Sequence, residues 1–464
     1  MKKLILYTGF LFFPGFLSAQ NSIELSLEKY RQMALESSKT IKIAELQQVK
    51  VKGEKTAARS AWFPKAEASA MGIYSKQQIQ QELMLPTKTF DMASGELVPN
   101  IAVNPMTGAP ITTPDGTPVF NTYAFLPLDL TLYGGYMASI SLNQPIYTGG
   151  RIIAGNKMAD IAGEMAQTNR ELKEDELIHE ANSLYFNYLA LQEKLKLAKT
   201  YQSLLQAVVK NVNDAYETGM VNKNELLKTQ VKLNEASLQL QQAESGSRLM
   251  GMALCKMIGT DLYSEIILSD SLMQYSSPQV VPNNQVQNRS EYKLLSNQLE
   301  MAHQEVKLQQ GNYLPTLGVS AGYNYFSAIL KDMNDYSSDG FNVIASLKIP
   351  LVSFGERKGK IASARASENI KRLELQETGN LLVMQMEQAR LNYRDAYVRV
   401  QMAEEAMKQA GENSRVSDDL YRLGMETLVN LLEAKTVWQK AYSEKIDAIA
   451  SFKIAESLLQ KVSK

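Results

Sequence analysis

Cysteine, histidine and tryptophan are nearly absent from this 464-residue sequence, which holds one Cys, two His and two Trp. The lone cysteine, Cys255, excludes a disulfide framework, and beside Met252 and Met257 it reads as a packed core thiol. His179 and His303 are too sparse for a metal cluster. The glycine pair Gly149-Gly150 lacks the spacing of a phosphate loop, and the acids form no paired constellation. No enzyme chemistry, metal or cofactor is therefore expected. An excess of one charge is missing too: 49 Lys and Arg balance 49 Asp and Glu, so no basic surface calls for nucleic acid. Beyond the first 19 residues no apolar run reaches the ~18 residues of a membrane helix, so any bilayer crossing has to use strands.

What is present begins with Lys2 and Lys3, an apolar stretch from Leu4 to Leu17, and small residues at Ser18 and Ala19. That order predicts a signal peptide over 1–19, and no cysteine follows it to carry a lipid. The rest of the chain repeats itself. Ser141-Leu142-Asn143-Gln144-Pro145 matches Ser346-Leu347-Lys348-Ile349-Pro350 at an offset of 205. The same offset pairs Asn187-Tyr188 with Asn392-Tyr393, Tyr216 with Tyr421, Gly219-Met220 with Gly424-Met425, and Leu226-Leu227 with Leu431-Leu432. Upstream, Ala61-Trp62-Phe63-Pro64 matches Asn312-Tyr313-Leu314-Pro315 at an offset of 251, so the first copy carries 46 extra residues. A period this long is a duplicated domain half and not a solenoid. The expected division is a first repeat over 20–257, a linker over 258–287 and a second repeat over 288–464.

Period-two alternation predicts strands near 65–76, 136–147, 315–327 and 341–350. Ala138, Ile140, Leu142 and Ile146 oppose Ser139, Ser141 and Asn143; Phe341, Val343, Ala345, Leu347 and Ile349 oppose Asn342, Ser346 and Lys348. Each run is about ten residues, the length of a tilted membrane strand. Half-buried soluble strands alternate in the same way, but aromatic residues near the strand ends favour a bilayer. The Pro-, Thr- and Gly-rich stretch over 77–135 reads as a long loop. Long helices are expected near 151–216, 225–257, 358–421 and 427–461, because apolar residues recur every three or four positions without proline. A helix of about 65 residues at 1.5 Å rise is on the order of 100 Å long, the dimension of a coiled-coil arm. Gly219 and Gly424 are the expected left-handed caps at which each helix turns back.

Four strands in one chain leave two open edges, which hydrocarbon does not tolerate, and membrane barrels start at about eight strands. Oligomerisation is therefore required, with two copies giving eight strands or three giving twelve. At this point the chain resembles the outer membrane efflux protein (TolC-like) family. The carriers are the junctions Gln144-Pro145-Ile146-Tyr147-Thr148-Gly149-Gly150-Arg151 and Ile349-Pro350-Leu351, with the paired tips Tyr216-Glu217-Thr218-Gly219-Met220 and Tyr421-Arg422-Leu423-Gly424-Met425. The resemblance implies a mainly α chain giving four strands to a shared twelve-stranded trimeric barrel, continued by a helical coiled-coil barrel in the periplasm. It implies an outer-membrane channel of a tripartite efflux or type I secretion system, gated at the helix tips. Expected partners are two further copies, outer-membrane lipid, a periplasmic adaptor (membrane fusion protein) and an inner-membrane pump of RND or ABC type. Adaptor docking falls on Gly219, Met220, Gly424 and Met425. The family's tip lock maps to Glu225 and Tyr421, but its arginine position holds Glu426, leaving Arg422 or Arg415 to substitute. Its acidic constriction maps to Asn430 and Glu433, and a ring of Glu433 side chains would favour cations. A soluble periplasmic coiled-coil adaptor is the competing reading, since it would show the same helices.

Overall fold

The computed structural model describes residues 23–92, 95–278, 285–330 and 336–464; the segment read as a signal peptide lies outside them. In chain order the elements are β1 (Ile23–Leu25), α1 (Leu27–Ser37), α2 (Lys39–Ser60), β2 (Lys65–Pro86), β3 (Lys88–Phe90), β4 (Leu97–Pro99) and β5 (Tyr123–Tyr147). Next come α3 (Arg151–Glu217), α4 (Lys223–Ile258), β6 (Ile266–Leu268) and α5 (Ser290–Gly311). The chain continues with β7 (Thr316–Leu330), β8 (Tyr336–Lys348), α6 (Glu356–Arg422) and α7 (Leu428–Val462). It divides into two compact units, one of residues 58–153 and 308–357 and one of the remaining segments.

The smaller unit holds an antiparallel sheet in the order β2-β5-β7-β8. Its pairing reproduces both sequence offsets. Lys65 faces Asn143 in the first hairpin, and Thr316 faces Lys348 in the second, which are the same positions moved by 251 and 205. The stretch 77–135 is not the long loop its composition suggests. β2 runs on to Pro86 and β5 starts at Tyr123, paired as far as Pro86 with Tyr123; only between them do the described residues form loops, with the short ladder of β3 and β4. Above Leu132, β5 keeps β2 as its one neighbour among the described residues. A strand with one neighbour tolerates proline, which is how Pro127 sits inside β5.

The larger unit is helical. α3 and α6 each contain 67 residues, on the order of 100 Å at 1.5 Å rise, and their starts and ends coincide at the offset of 205. Its main core gathers apolar residues from α1, α3, α4, α6 and α7 with the segment after α4. Phe452 is 1% exposed and stacks on Tyr393 with ring centroids 5.1 Å apart, while Tyr275 and Tyr397 meet the same ring at 6.1 and 5.5 Å. Asp270 ties this segment down, accepting from the Tyr185 hydroxyl at 2.6 Å and from the Leu27 backbone N–H at 2.8 Å. β6 pairs in parallel with β1, so the stretch read as a linker contributes a strand of its own.

Burial, reinforced by a hydrogen bond to Glu404, pushes the Tyr275 hydroxyl up to about 12. Its pKa is raised in the fold, so the stabilisation is present below the ordinary tyrosine range near 10 and is lost as pH rises towards 12. We expect Tyr275→Phe to flatten the loss of stability between pH 10 and 12, as read by denaturant midpoints; an unchanged slope would remove Tyr275 from that titration.

Candidate functional site

The sheet register sorts its side chains into two faces. Ala66, Leu142, Ala321 and Val343 form one row across the four strands, and Ala68, Ile140, Tyr323 and Phe341 form the next row on the same face. The opposite face carries Glu67, Ser141, Gly322 and Asn342, then Ser69, Ser139 and Asn324. The polar face is hydrogen-bonded across strands: the Ser69 and Ser139 hydroxyls lie 2.8 Å apart, Ser320 Oγ donates to Asn143 Oδ1 at 2.7 Å, and Asn324 Nδ2 donates to Asn342 Oδ1 at 3.1 Å. Every residue of β8 is exposed. Such a sheet has one apolar surface, one polar surface and, among the described residues, no pairing partner beyond β2 or β8.

Both strand-to-helix junctions use left-handed backbone at the same repeat positions. Gly149 and Gly150 have φ of 64° and 81°; Phe354 and Gly355, moved by 205, have φ of 40° and 92°. At the first junction the backbone of Gly149 lies against that of Gly311 at the end of α5. A Cβ on Gly311 would come within 2.6 Å of the Gly149 carbonyl, so neither position has room for a side chain.

The two helix tips repeat one hydrogen-bond pattern. Gly219 N–H donates to Tyr216 O at 3.0 Å and Met220 N–H to Ala215 O at 2.8 Å; Gly424 donates to Tyr421 O at 3.0 Å and Met425 to Leu420 O at 2.9 Å. Both glycines are left-handed, and this is the paired closure that satisfies the last helical carbonyls. The next helix is capped by Asn222 Oδ1, accepting from Glu225 N–H at 3.1 Å, and by Thr427 Oγ1, accepting from Asn430 N–H at 3.3 Å. Met220 and Met425 stand exposed at the two turns.

Of the expected lock, Tyr421 has its pKa raised by burial first, and the charge of Glu225 adds to that rise. Glu426 instead accepts a hydrogen bond from the buried Ser417 within its own hairpin. Arg415 is engaged by Glu412 at 2.7 Å and Asp419 at 2.9 Å, and Arg422 by Asp418 at 2.8 Å. The charge that sequence reasoning missed is Lys435. It is 5% exposed, and its Nζ lies 2.9 Å from the other oxygen of Asp418. Its position on the apolar rhythm of α7, after Leu428, Leu431 and Leu432, was the available signal. Asn430 and Glu433 are both exposed. Glu433 lines an apolar groove with Leu227, Val231, Val429 and Val437, between α4 and α7. A second cleft at the tips is lined by Met220, Tyr421, Gly424, Glu426 and Lys435. No helix among the described residues is long and apolar enough to cross a membrane.

The geometry agrees with what is known of other proteins. The chain matches the family model of the outer membrane efflux protein over residues 30–260 and 282–463. Its fold is similar to that of solved structures. The Campylobacter jejuni CmeC outer membrane channel aligns with TM-score 0.73 and 15% identity, over 94% of this chain and 85% of that one. The open state of the Neisseria gonorrhoeae MtrE outer membrane channel gives TM-score 0.73 and 13% identity, over 94% and 88%. The Vibrio cholerae outer membrane protein VceC gives TM-score 0.70 and 14% identity, over 94% and 96%. No curated protein matches by sequence. Outer membrane efflux proteins are trimeric components of tripartite pumps, and theirs is a family of ducts. A soluble adaptor has no use for a sheet that is apolar on one face and unpaired at both edges. With the family model covering most of its length, the chain belongs to the outer membrane efflux protein family and is an outer-membrane efflux channel.

Proposed function

We propose that three copies close their twelve strands into one barrel and that their helical hairpins surround a passive exit duct, gated at the periplasmic tips. The observation that carries this reading is the four-stranded sheet with one apolar face, one hydrogen-bonded polar face and two unpaired edges. Four strands are too few to close a membrane barrel, and three protomers supply twelve. The duct would receive cargo from a periplasmic adaptor and an inner-membrane pump of RND or ABC type. The exposed turns at Gly219-Met220 and Gly424-Met425 offer the adaptor two similar backbone surfaces per chain.

In this reading the charge of Glu225 acting on Tyr421 and the Lys435–Asp418–Arg422 cluster hold the two hairpin tips, and Glu426 bonds back to Ser417 in place of meeting Glu225. The exposed apolar groove of Leu227, Val231, Val429 and Val437 supports helix packing by a neighbouring copy. Exposed Glu433 would then add one carboxylate per protomer to a narrow ring.

Protein extracted from outer membranes is expected to behave as a trimer in detergent and to conduct in planar bilayers. Absence of both membrane retention and conductance would sink the channel mechanism. Glu433→Ala should lower cation preference in reversal-potential measurements, and unchanged selectivity would remove that residue from the constriction.

A further inference from the structure

The internal repeat contains a template for the contact between copies. β5, the second strand of repeat one, pairs with β7, the first strand of repeat two, and this pairing is visible within a single chain. Closing the barrel brings β8, the second strand of repeat two, against β2 of the next copy, which is the same kind of junction. The two hairpins share a register under shifts of 205 for the second strand and 251 for the first, so the shifts also carry the β5–β7 register onto the seam.

We infer that the seam places Val343 opposite the partner's Tyr74, Ala345 opposite the partner's Gly72 and Leu347 opposite the partner's Ala70, and seats Phe354 on the partner's Ser60–Phe63 turn. The first three pairs come from Ala138 with Tyr325, Ile140 with Tyr323, and Leu142 with Ala321. This inference rests on the proposal that copies join through their sheet edges; it adds the register and the role of Phe354.

Independent features agree with the assignment. All three pairs fall on the apolar face of their own sheets, whereas a slip of one residue would turn one strand's apolar set to the polar side. On the polar face, Asn143 and Ser320, hydrogen-bonded at 2.7 Å, become Lys348 and the partner's Ser69. Lys348 then stands diagonal to the partner's Glu67, an opposite charge within reach of a long side chain.

Phe354 is where the two junctions differ. In the template, Gly149 packs so closely on Gly311 and Leu314 that no Cβ fits. The same shifts turn those three residues into Phe354 and the partner's Ser60 and Phe63. With a Cβ present, the partner's turn has to stand further off than Gly311 does, and the phenyl ring fills the space. Within its own chain Phe354 is 99% exposed, with a left-handed φ of 40° that a bulky residue rarely adopts. Phe63 is 66% exposed as well, so two uncovered aromatic rings meet across the seam.

Cysteine pairs test the register in a Cys255→Ser background. Val343→Cys with Tyr74→Cys, and Leu347→Cys with Ala70→Cys, should oxidise to covalent dimers and trimers on non-reducing denaturing gels. Val343→Cys with Gly72→Cys should not, because diagonal neighbours lie ~7–8 Å apart, beyond disulfide reach. Within one chain β2 and β8 are three strand spacings of about 4.8 Å apart, so any link reports the seam. Linking of the diagonal pair in preference to the matched pairs overturns the register. The state in detergent is measured in parallel: a monomer there defeats the trimer proposal itself, whereas a trimer linked in another register defeats this inference alone. For Phe354, Phe354→Gly removes backbone strain yet should speed trimer dissociation about tenfold, as expected on losing a buried interface aromatic. Equal or slower dissociation would place the ring outside the seam.

Discussion

Asp418→Ala is expected to destabilise the helix tips by on the order of 3 kcal/mol, and the double variant Asp418→Ala/Lys435→Met to recover most of that loss. Lys435 is 5% exposed, and its ion-pair partner Asp418 lies at 2.9 Å. Deleting the carboxylate leaves a nearly buried ammonium without its ion-pair partner, and breaking such a buried pair by one partner costs about 3–5 kcal/mol. We take the lower end because the Asp418 side chain keeps 27% of its exposure and also holds Arg422. Replacing the ammonium by a thioether of similar length removes the stranded charge and keeps the packing beside Leu431 and Leu432. Hydrogen exchange of the tip amides, with thermal unfolding of the detergent-solubilised protein, reads the effect. If the double variant is no more stable than Asp418→Ala alone, the cost does not come from the buried charge.

Gly149→Ala should be at least as damaging, by about 3 kcal/mol or more, while Gly150→Ala one residue later should cost only about 1–2 kcal/mol. Both glycines are left-handed, with φ of 64° and 81°, so both substitutions carry the backbone penalty. The difference lies in space. A Cβ on Gly149 would sit 2.8 Å from Leu314 Cβ and closer still to the Gly311 carbonyl, whereas a Cβ on Gly150 meets nothing within 4 Å. The close approach cannot be relieved by a rotamer change, because neither the Gly311 carbonyl nor the Leu314 Cβ moves with a side-chain torsion. Melting of the assembled protein and its amount in the outer membrane should both separate the two variants. Equal losses would mean that conformational strain alone decides, and that the approach to Gly311 is slack.

How much of this was legible in the sequence depended on the length over which a pattern persists. The duplication was readable because proline, tyrosine and glycine recur at fixed offsets, and the helix ends at Glu217 and Arg422 obey the same spacing. The extension of β2 and β5 was hidden by the Pro-, Thr- and Gly-rich stretch between them, although Leu126, Leu128, Leu130 and Leu132 alternate in the sequence. β1 and β6 are three residues each, too short for any periodicity to register. At the tips, resemblance pointed to Glu225 and Tyr421, and the charge of Glu225 does act on the Tyr421 hydroxyl. It could not point to Lys435, Asp418 or Ser417, because their partnerships cross a hairpin turn and depend on how α6 packs on α7.

The two uncovered strands at the ends of the sheet also bear on how the protein is made. β2 and β8 end the sheet, and β8 alone spans 13 residues with the backbone of its outer side unpaired in the protomer. Those peptide groups find no water in hydrocarbon, so a single copy has no stable inserted state to wait in. In aqueous surroundings the same edges recruit other strands indiscriminately. In the proposed trimer, folding of the barrel is thus coupled to an encounter among copies, and its yield should rise more steeply than linearly with protein concentration before aggregation overtakes it. The sheet is a kinetic liability until its last pairing forms, and afterwards no exposed edge remains from which to unzip it.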